Sequence, residues 1–187
     1  VHTSFEQVDL IPASMELAGA EIQIVELPQR EQLLKKALAA LRQRYDYVII
    51  DCPPSLGLVT LNGLCAADTV LVPIQCEYYA LEGLSQLMST IRQVKRLYNS
   101  QIEIEGVLLT MFDGRLKLTY QVVQEVKKYF PKKVFKTVVP RNVALSEAPS
   151  FGSPALYYEK SARGSRAYVE LAEEIMTANG DKPLHMV

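Results

Sequence analysis

Apolar and polar positions alternate along the chain in two rhythms that change places several times. A short apolar run at Val8–Ile11 is ended by Pro12. Leu33, Leu34, Ala37, Leu38 and Leu41 then fall on one face of a helix expected over about residues 29–44. Tyr47-Val48-Ile49-Ile50 is apolar on both faces, as a strand covered by helices on either side requires. A short helix is expected over 58–67 and a strand over 69–74. Ala80, Leu84, Leu87, Met88, Ile91 and Val94 repeat at helical spacing, and Asn99 offers a stop. The spacing next predicts a strand over 106–112, a helix marked by Leu118, Val122, Val126 and Tyr129, and a strand over 134–139. A loop rich in Pro and Ser fills 140–154, and a last helix over about 162–178 buries Tyr168, Leu171, Ala172, Ile175 and Met176.

Strands alternating with helices of this length give an α/β fold, a mostly parallel sheet with helices on both faces. With no internal repeat or linker, residues 1–178 read as a single domain followed by a tail, 179–187. At 187 residues such a domain encloses a sizeable core. In these sheets chemistry collects in the loops at the carboxyl ends of the strands, which here begin at Asp51, Gln75, Asp113 and Pro140.

Composition narrows the chemistry. The net charge of -1 excludes a uniformly basic nucleic-acid binder, so any DNA contact falls to a few placed Arg and Lys residues. The three cysteines, Cys52, Cys65 and Cys76, form no C-x-x-C pair or Cys/His cluster and read as small apolar fillers in a reducing compartment. No apolar run has the length of a membrane span and no signal peptide is visible, so the expectation is a cytoplasmic protein. The first residue is Val1 and a strand-like run follows at once, the pattern of a fragment of a longer protein.

Asp51 is the first candidate for chemistry. In YDYVIIDCPPS, residues 45–55, it ends a four-residue apolar run. A carboxylate there orients magnesium, directly or through water, beside nucleotide phosphates; equally, it simply ends a strand and caps the next helix. Pro53 and Pro54 remove two backbone donors and fix φ twice, which makes a stiff turn able to report a γ-phosphate.

Four blocks, IIDCPPS, ADTVLVPIQCEYYALEG, GVLLTMFDGR and VVPRNVALSEAPSFG, together resemble the ParA/Soj chromosome- and plasmid-partitioning ATPases from about Val8 to Met176. The resemblance implies a P-loop NTPase-type fold with ATP and Mg2+ as ligands. It makes Asp51 the Walker B aspartate, on the magnesium and γ-phosphate side, with the metal held through water. Cys52, Pro53 and Pro54 become the switch turn. Gln75, Glu77, Tyr78, Tyr79 and Glu82 fall on the face where two subunits sandwich two ATP molecules. Thr110 and Met111 approach adenine, although plain core packing also accounts for them. Pro140, Arg141 and Asn142 pack against the base, where a Pro ring and a Met side chain offer apolar surface and Asn142 offers a donor and an acceptor.

The family also implies non-specific DNA binding by the ATP-bound homodimer, hydrolysis stimulated by a ParB-type centromere-binding protein, and association with the nucleoid. Candidate phosphate contacts are Arg115, Lys117, Lys160, Arg163 and Arg166, each on its own equally a solvated surface residue. Position 144 is Ala where close relatives often carry Arg, which weakens the expected DNA binding. A membrane role is not expected, because Glu170, Glu173 and Glu174 oppose an anionic surface.

One departure is large. No G-x-x-x-x-G-K-[ST] occurs, so the first strand and the phosphate-binding loop of the family are missing. The expectation is truncation, no ATP hydrolysis by the 187 residues alone, and exposed edges where the first strand would lie. A nucleotide-free module for dimerisation or partner binding is the alternative.

Overall fold

The computed structural model describes residues 1–53, 55, 57–77 and 83–182. Their contacts divide into two compact units. One is drawn from Val1–Asp68 and Ser89–Ile102, the other from Thr69–Met88 and Glu103–Val187.

The second unit carries the sheet. Strands β1 (Thr69–Gln75), β2 (Glu103–Phe112) and β3 (Val134–Pro140) lie in the order β1-β2-β3, all parallel. The two-residue period of a strand sorts their side chains. Val72, Ile74, Val107 and Leu109 face Val122, Val126 and Phe130, which belong to helix α5 (Lys117–Tyr129) and the residue after it. Leu108, Phe135 and Val139 face Ala167 and Leu171 of helix α8 (Arg163–Ala178). Helices therefore cover both faces, as the unbroken apolar runs of the strands predict. Register slips where Val70 faces Ile104 but Leu71 faces Gly106, leaving Glu105 as the extra residue of a bulge. Gly106 is required there: a Cβ on it would lie 2.5 Å from two atoms of the Phe135 ring.

The outer edge of β3 is covered by a side chain. The Glu174 carboxylate of α8 accepts the N–H groups of Lys136 (2.8 Å) and Thr137 (3.0 Å). These bonds hold its carboxyl below the usual range despite partial burial, which pulls the other way.

The first unit is helical: α1 (Met15–Ile24), a 3₁₀ turn (Arg30–Gln32), α2 (Leu33–Leu38) and α3 (Leu58–Ala66), joined by Ser89–Ile102, which includes most of α4 (Leu84–Leu97). Buried polar side chains knit it. Asn62 donates to the carbonyls of Arg30 (2.8 Å) and Leu58 (3.0 Å) and accepts the Leu34 N–H (3.1 Å). Asn99 donates to the carbonyls of Leu64, Cys65 and Ala67 at the end of α3.

Several expectations are corrected. Residues 47–50 join no strand, and Ile49 is 92% exposed. An apolar run becomes a strand only when neighbours take up its N–H and C=O groups, and no ladder among the described residues includes it. Val8–Ile11 supplies only an isolated antiparallel bridge, Asp9 to His2. The helix expected to Arg44 stops at Leu38, whose carbonyl takes both Leu41 N–H and Arg42 N–H as the chain tightens into turns. Helix α1 has no helical signature in the sequence, since its apolar residues 20, 22 and 24 alternate by two and Gly19 precedes them. The 140–154 loop contains α6 (Val143–Glu147) and a 3₁₀ turn (Ala148–Phe151), and α7 (Ala155–Tyr158) follows it directly. Its prolines start turns as readily as they stop helices: Pro149 opens the 3₁₀ turn and Pro154 precedes α7. Tyr168, expected in the core, is 46% exposed beside a shallow apolar groove lined by Pro154, Ala155 and Ala172.

Candidate functional site

The sequence-predicted residues fall in both units, and each group is described by itself. In the first unit Asp51, Cys52 and Pro53 are exposed and precede α3. Pro54 lies outside the described residues. The turn rests on α3 where that helix has no side chain: a Cβ on Gly63 would meet the Cys52 sulfur at 2.7 Å. Desolvation of its sulfur against α3 and the neighbouring Asp51 charge push the Cys52 thiol up. From α3, the Thr60 hydroxyl donates to the Ser55 carbonyl at 2.6 Å, with the Pro53 carbonyl at 3.4 Å. No local side chain caps α3. Instead Glu21 of α1 accepts the Val59 N–H at 3.1 Å, placing a carboxylate at the positive end of the helix.

In the second unit the carboxyl ends of the three strands carry the remaining candidates. Gln75 pairs with Thr110, and Phe112 pairs with Pro140. Cys76 N–H donates to the Thr110 carbonyl (2.9 Å), and Arg141 N–H donates to the Phe112 carbonyl (3.3 Å). Between these anchors β2 has one residue more than β3, and Met111 takes a left-handed backbone, φ +52°. For an unbranched non-glycine residue that conformation costs about 1–2 kcal/mol. It is paid where the side chain, 37% exposed, is turned out at the strand tip rather than into the core. The core-packing alternative for Met111 therefore finds no support, while Thr110 is half-buried.

Pro140 and Asn142 are half-buried and Arg141 is exposed, pairing with Glu77. Asn142 stands before α6, yet its side chain caps nothing. Its Oδ1 is shut off from solvent and has no hydrogen-bond partner. A buried acceptor without a donor costs about 1–3 kcal/mol. Ala144 is buried in α6.

Arg115 is engaged at home. Its Nε (2.9 Å), Nη2 (2.7 Å) and backbone N–H (3.0 Å) all donate to the Asp113 carboxylate, which they hold far below the usual range. Lys117 is exposed at the start of α5, and Lys160, Arg163 and Arg166 are exposed before and on the first turn of α8. Tyr78, Tyr79 and Glu82 lie outside the described residues, so Gln75 and Glu77 alone represent that block, both exposed. The sequence reading missed Thr60, Glu21 and the Arg115–Asp113 fork. Only the last left a trace, as D-G-R is a turn with charges two residues apart.

Among the described residues no group of three or more His, Cys, Asp or Glu side chains is poised for a metal ion. Asp51, the sequence-predicted ligand, is a single exposed carboxylate, a donor type that Mg2+ accepts when water and phosphate complete its shell. No described helix is long and apolar enough to cross a membrane.

The family model described as an AAA domain matches residues 1–104. The sporulation initiation inhibitor protein Soj of Bacillus subtilis is 58% identical over 178 residues, covering 95% of this chain and 70% of that protein. The chromosome-partitioning ATPase Soj of Treponema pallidum is 49% identical over 172 residues, covering 92% and 68%. Among solved structures, cobyrinic acid a,c-diamide synthase from Mycobacterium smegmatis, with bound ADP and magnesium, superposes with a TM-score of 0.74 at 34% identity, over 93% of this chain and 65% of that one. The chain thus spans about two thirds of the length of the proteins it matches. With that identity carried along nearly all of its residues and the parallel α/β layers in place, the chain belongs to the ParA/Soj family of chromosome-partitioning proteins, with a fold of the P-loop NTPase type.

Proposed function

We propose that this chain is part of an ATP-driven switch that segregates chromosome or plasmid DNA. Residues 1–178 act as one nucleotide-switch domain, and 179–187 as a tail. Asp51 holds Mg2+ through water, Cys52, Pro53 and Pro54 form the switch turn, and Thr110, Met111, Pro140, Arg141 and Asn142 surround the base. Bound Mg2+ would neutralise phosphate charge. Gln75, Glu77, Tyr78, Tyr79 and Glu82 form the face of an ATP-dependent homodimer. That dimer binds DNA non-specifically on the nucleoid, and a ParB-type partner stimulates hydrolysis. The DNA surface is built on Lys117, Lys160, Arg163 and Arg166, with Arg115 contributing only when released from Asp113. Without a glycine-lysine phosphate cradle, the 187 residues alone hydrolyse no ATP.

The observation that carries this reading is the buried, partnerless Asn142 Oδ1, together with the left-handed backbone of Met111 at the end of β2. The acceptor suits the exocyclic amine of adenine, and the thioether suits its face. Calorimetric titration of the whole gene product with ATP and ITP tests it, because ITP presents a carbonyl in place of the amine. The wild type should prefer ATP by on the order of tenfold, the equivalent of one well-made buried hydrogen bond. Asn142→Leu should abolish the preference. Failure of the whole gene product to bind ATP refutes the function, and an unchanged preference in Asn142→Leu refutes the base site.

A further inference from the structure

The 51–55 segment is stiff in φ but poor in the backbone donors that would tie it in place. Pro53 and Pro54 bring no backbone N–H, so the donors that would close an ordinary turn are absent at two successive positions. The support comes from below. Thr60 is buried on the first turn of α3, 6% exposed, and its hydroxyl lies 2.6 Å from the Ser55 carbonyl oxygen and 3.4 Å from that of Pro53. A hydroxyl has one proton to donate, so at any moment it serves one of these carbonyls well and the other poorly. The two acceptors lie on either side of Pro54. A small displacement of the turn is enough to exchange one bond for the other.

The helix beneath cannot follow such a displacement. Its first turn is held at Val59 N–H by Glu21 (3.1 Å), its Leu61 N–H is bonded to Gly57 (3.0 Å), and its end is held by Asn99. Gly63 lets the Cys52 sulfur lie against the helix backbone, so at that point no side chain of the helix stands between it and the turn. A fixed donor facing two alternative acceptors on a stiff, movable segment has the form of a two-position latch.

We propose that the Thr60 hydroxyl is the positioning residue of this turn, and that nucleotide-dependent movement of the turn transfers its single hydrogen bond between the carbonyls of Ser55 and Pro53. The second part rests on the nucleotide-switch reading above. The residue touches neither phosphate nor metal; it acts through the turn.

The test compares wild type, Thr60→Val and Thr60→Ser in the whole gene product. The Val variant keeps the shape without the hydroxyl, and the Ser variant keeps the hydroxyl without the methyl. Without nucleotide, amide exchange of residues 57–61 should be about fivefold faster in Thr60→Val, the loss of one ordinary hydrogen bond. Its ATP Kd should stay within about twofold, while kcat falls on the order of tenfold through misplacement of the turn. The exchange difference between ADP-bound and ATP-bound forms should disappear. Thr60→Ser should restore all three. Unchanged exchange and kcat in Thr60→Val overturn the proposal, and so does a Thr60→Ser protein that behaves like Thr60→Val, since the methyl would then be the working group. A wild type that binds no ATP overturns the function and the transfer together, whereas the nucleotide-free exchange comparison still decides whether Thr60 anchors the turn.

Discussion

Replacing Asn99 by Ala removes a cap that α3 does not carry in its own sequence. The side chain is 7% exposed and its amide nitrogen lies 2.7 Å from the Ala67 carbonyl, 3.2 Å from Leu64 and 3.4 Å from Cys65. Two amide protons serve three carbonyls, so about two bonds are lost, worth roughly 1 kcal/mol each. The carbonyls of Leu64 and Cys65 belong to buried residues, and leaving one unsatisfied adds about 1–3 kcal/mol. The expected loss is therefore about 3–5 kcal/mol, a large part of the roughly 5–15 kcal/mol that holds a domain together. Urea unfolding of the whole gene product, followed by circular dichroism, reads it as a lower midpoint at constant slope. Asn99→Asp sharpens the test. It preserves shape, loses the donors, and at neutral pH sets a negative charge against the negative end of α3, so it should destabilise at least as much. A change below about 0.5 kcal/mol in Asn99→Ala would show that the three carbonyls need no cap, which is the size of an ordinary surface effect.

Two further outcomes follow from packing and charge in the second unit. Gly106→Ala should destabilise by about 1–3 kcal/mol, because the new methyl would stand 2.5 Å from the Phe135 ring, and a paired Phe135→Leu should recover part of that in the same unfolding assay. Glu174 has a folded pKa below its ordinary value, so its contribution to stability is present above that ordinary value, about 4.3, and is lost as pH falls through the depressed one. Wild type should exceed Glu174→Gln in stability at pH 7 and converge with it in acid; a difference independent of pH contradicts the assignment.

The sheet and its two helical layers were legible because each depends on a local repeat. Val72, Ile74, Val107 and Leu109 announce a strand core by alternation, and Val122, Val126 and Leu171 announce helix faces by their spacing. Tyr47–Ile50 carried the same kind of signal and misled, because a strand also needs partners that its own residues cannot specify. Helix α1 gave no usable signal: its apolar residues 20, 22 and 24 alternate without helical spacing, and its role shows only through Glu21, which reaches α3. At the candidate site, residue types pointed to a nucleotide, but Arg115, read as a candidate DNA contact or a solvated surface residue, is forked onto Asp113.

The sequence by itself determined that this chain is a parallel α/β protein of the ParA/Soj family, and it named Asp51, Thr110–Met111 and Pro140–Asn142 as the candidates for its chemistry. Periodicity, and four blocks in a fixed order, are properties of neighbouring residues and survive in one dimension. Only the tertiary structure decided that Met111 sits in a left-handed bulge, that Asn142 Oδ1 is buried without a donor, and that Thr60 faces two carbonyls. Those are relations between groups brought together by burial and register, and hydrogen bonding depends on distances of a few tenths of an ångström that no spacing along the chain encodes.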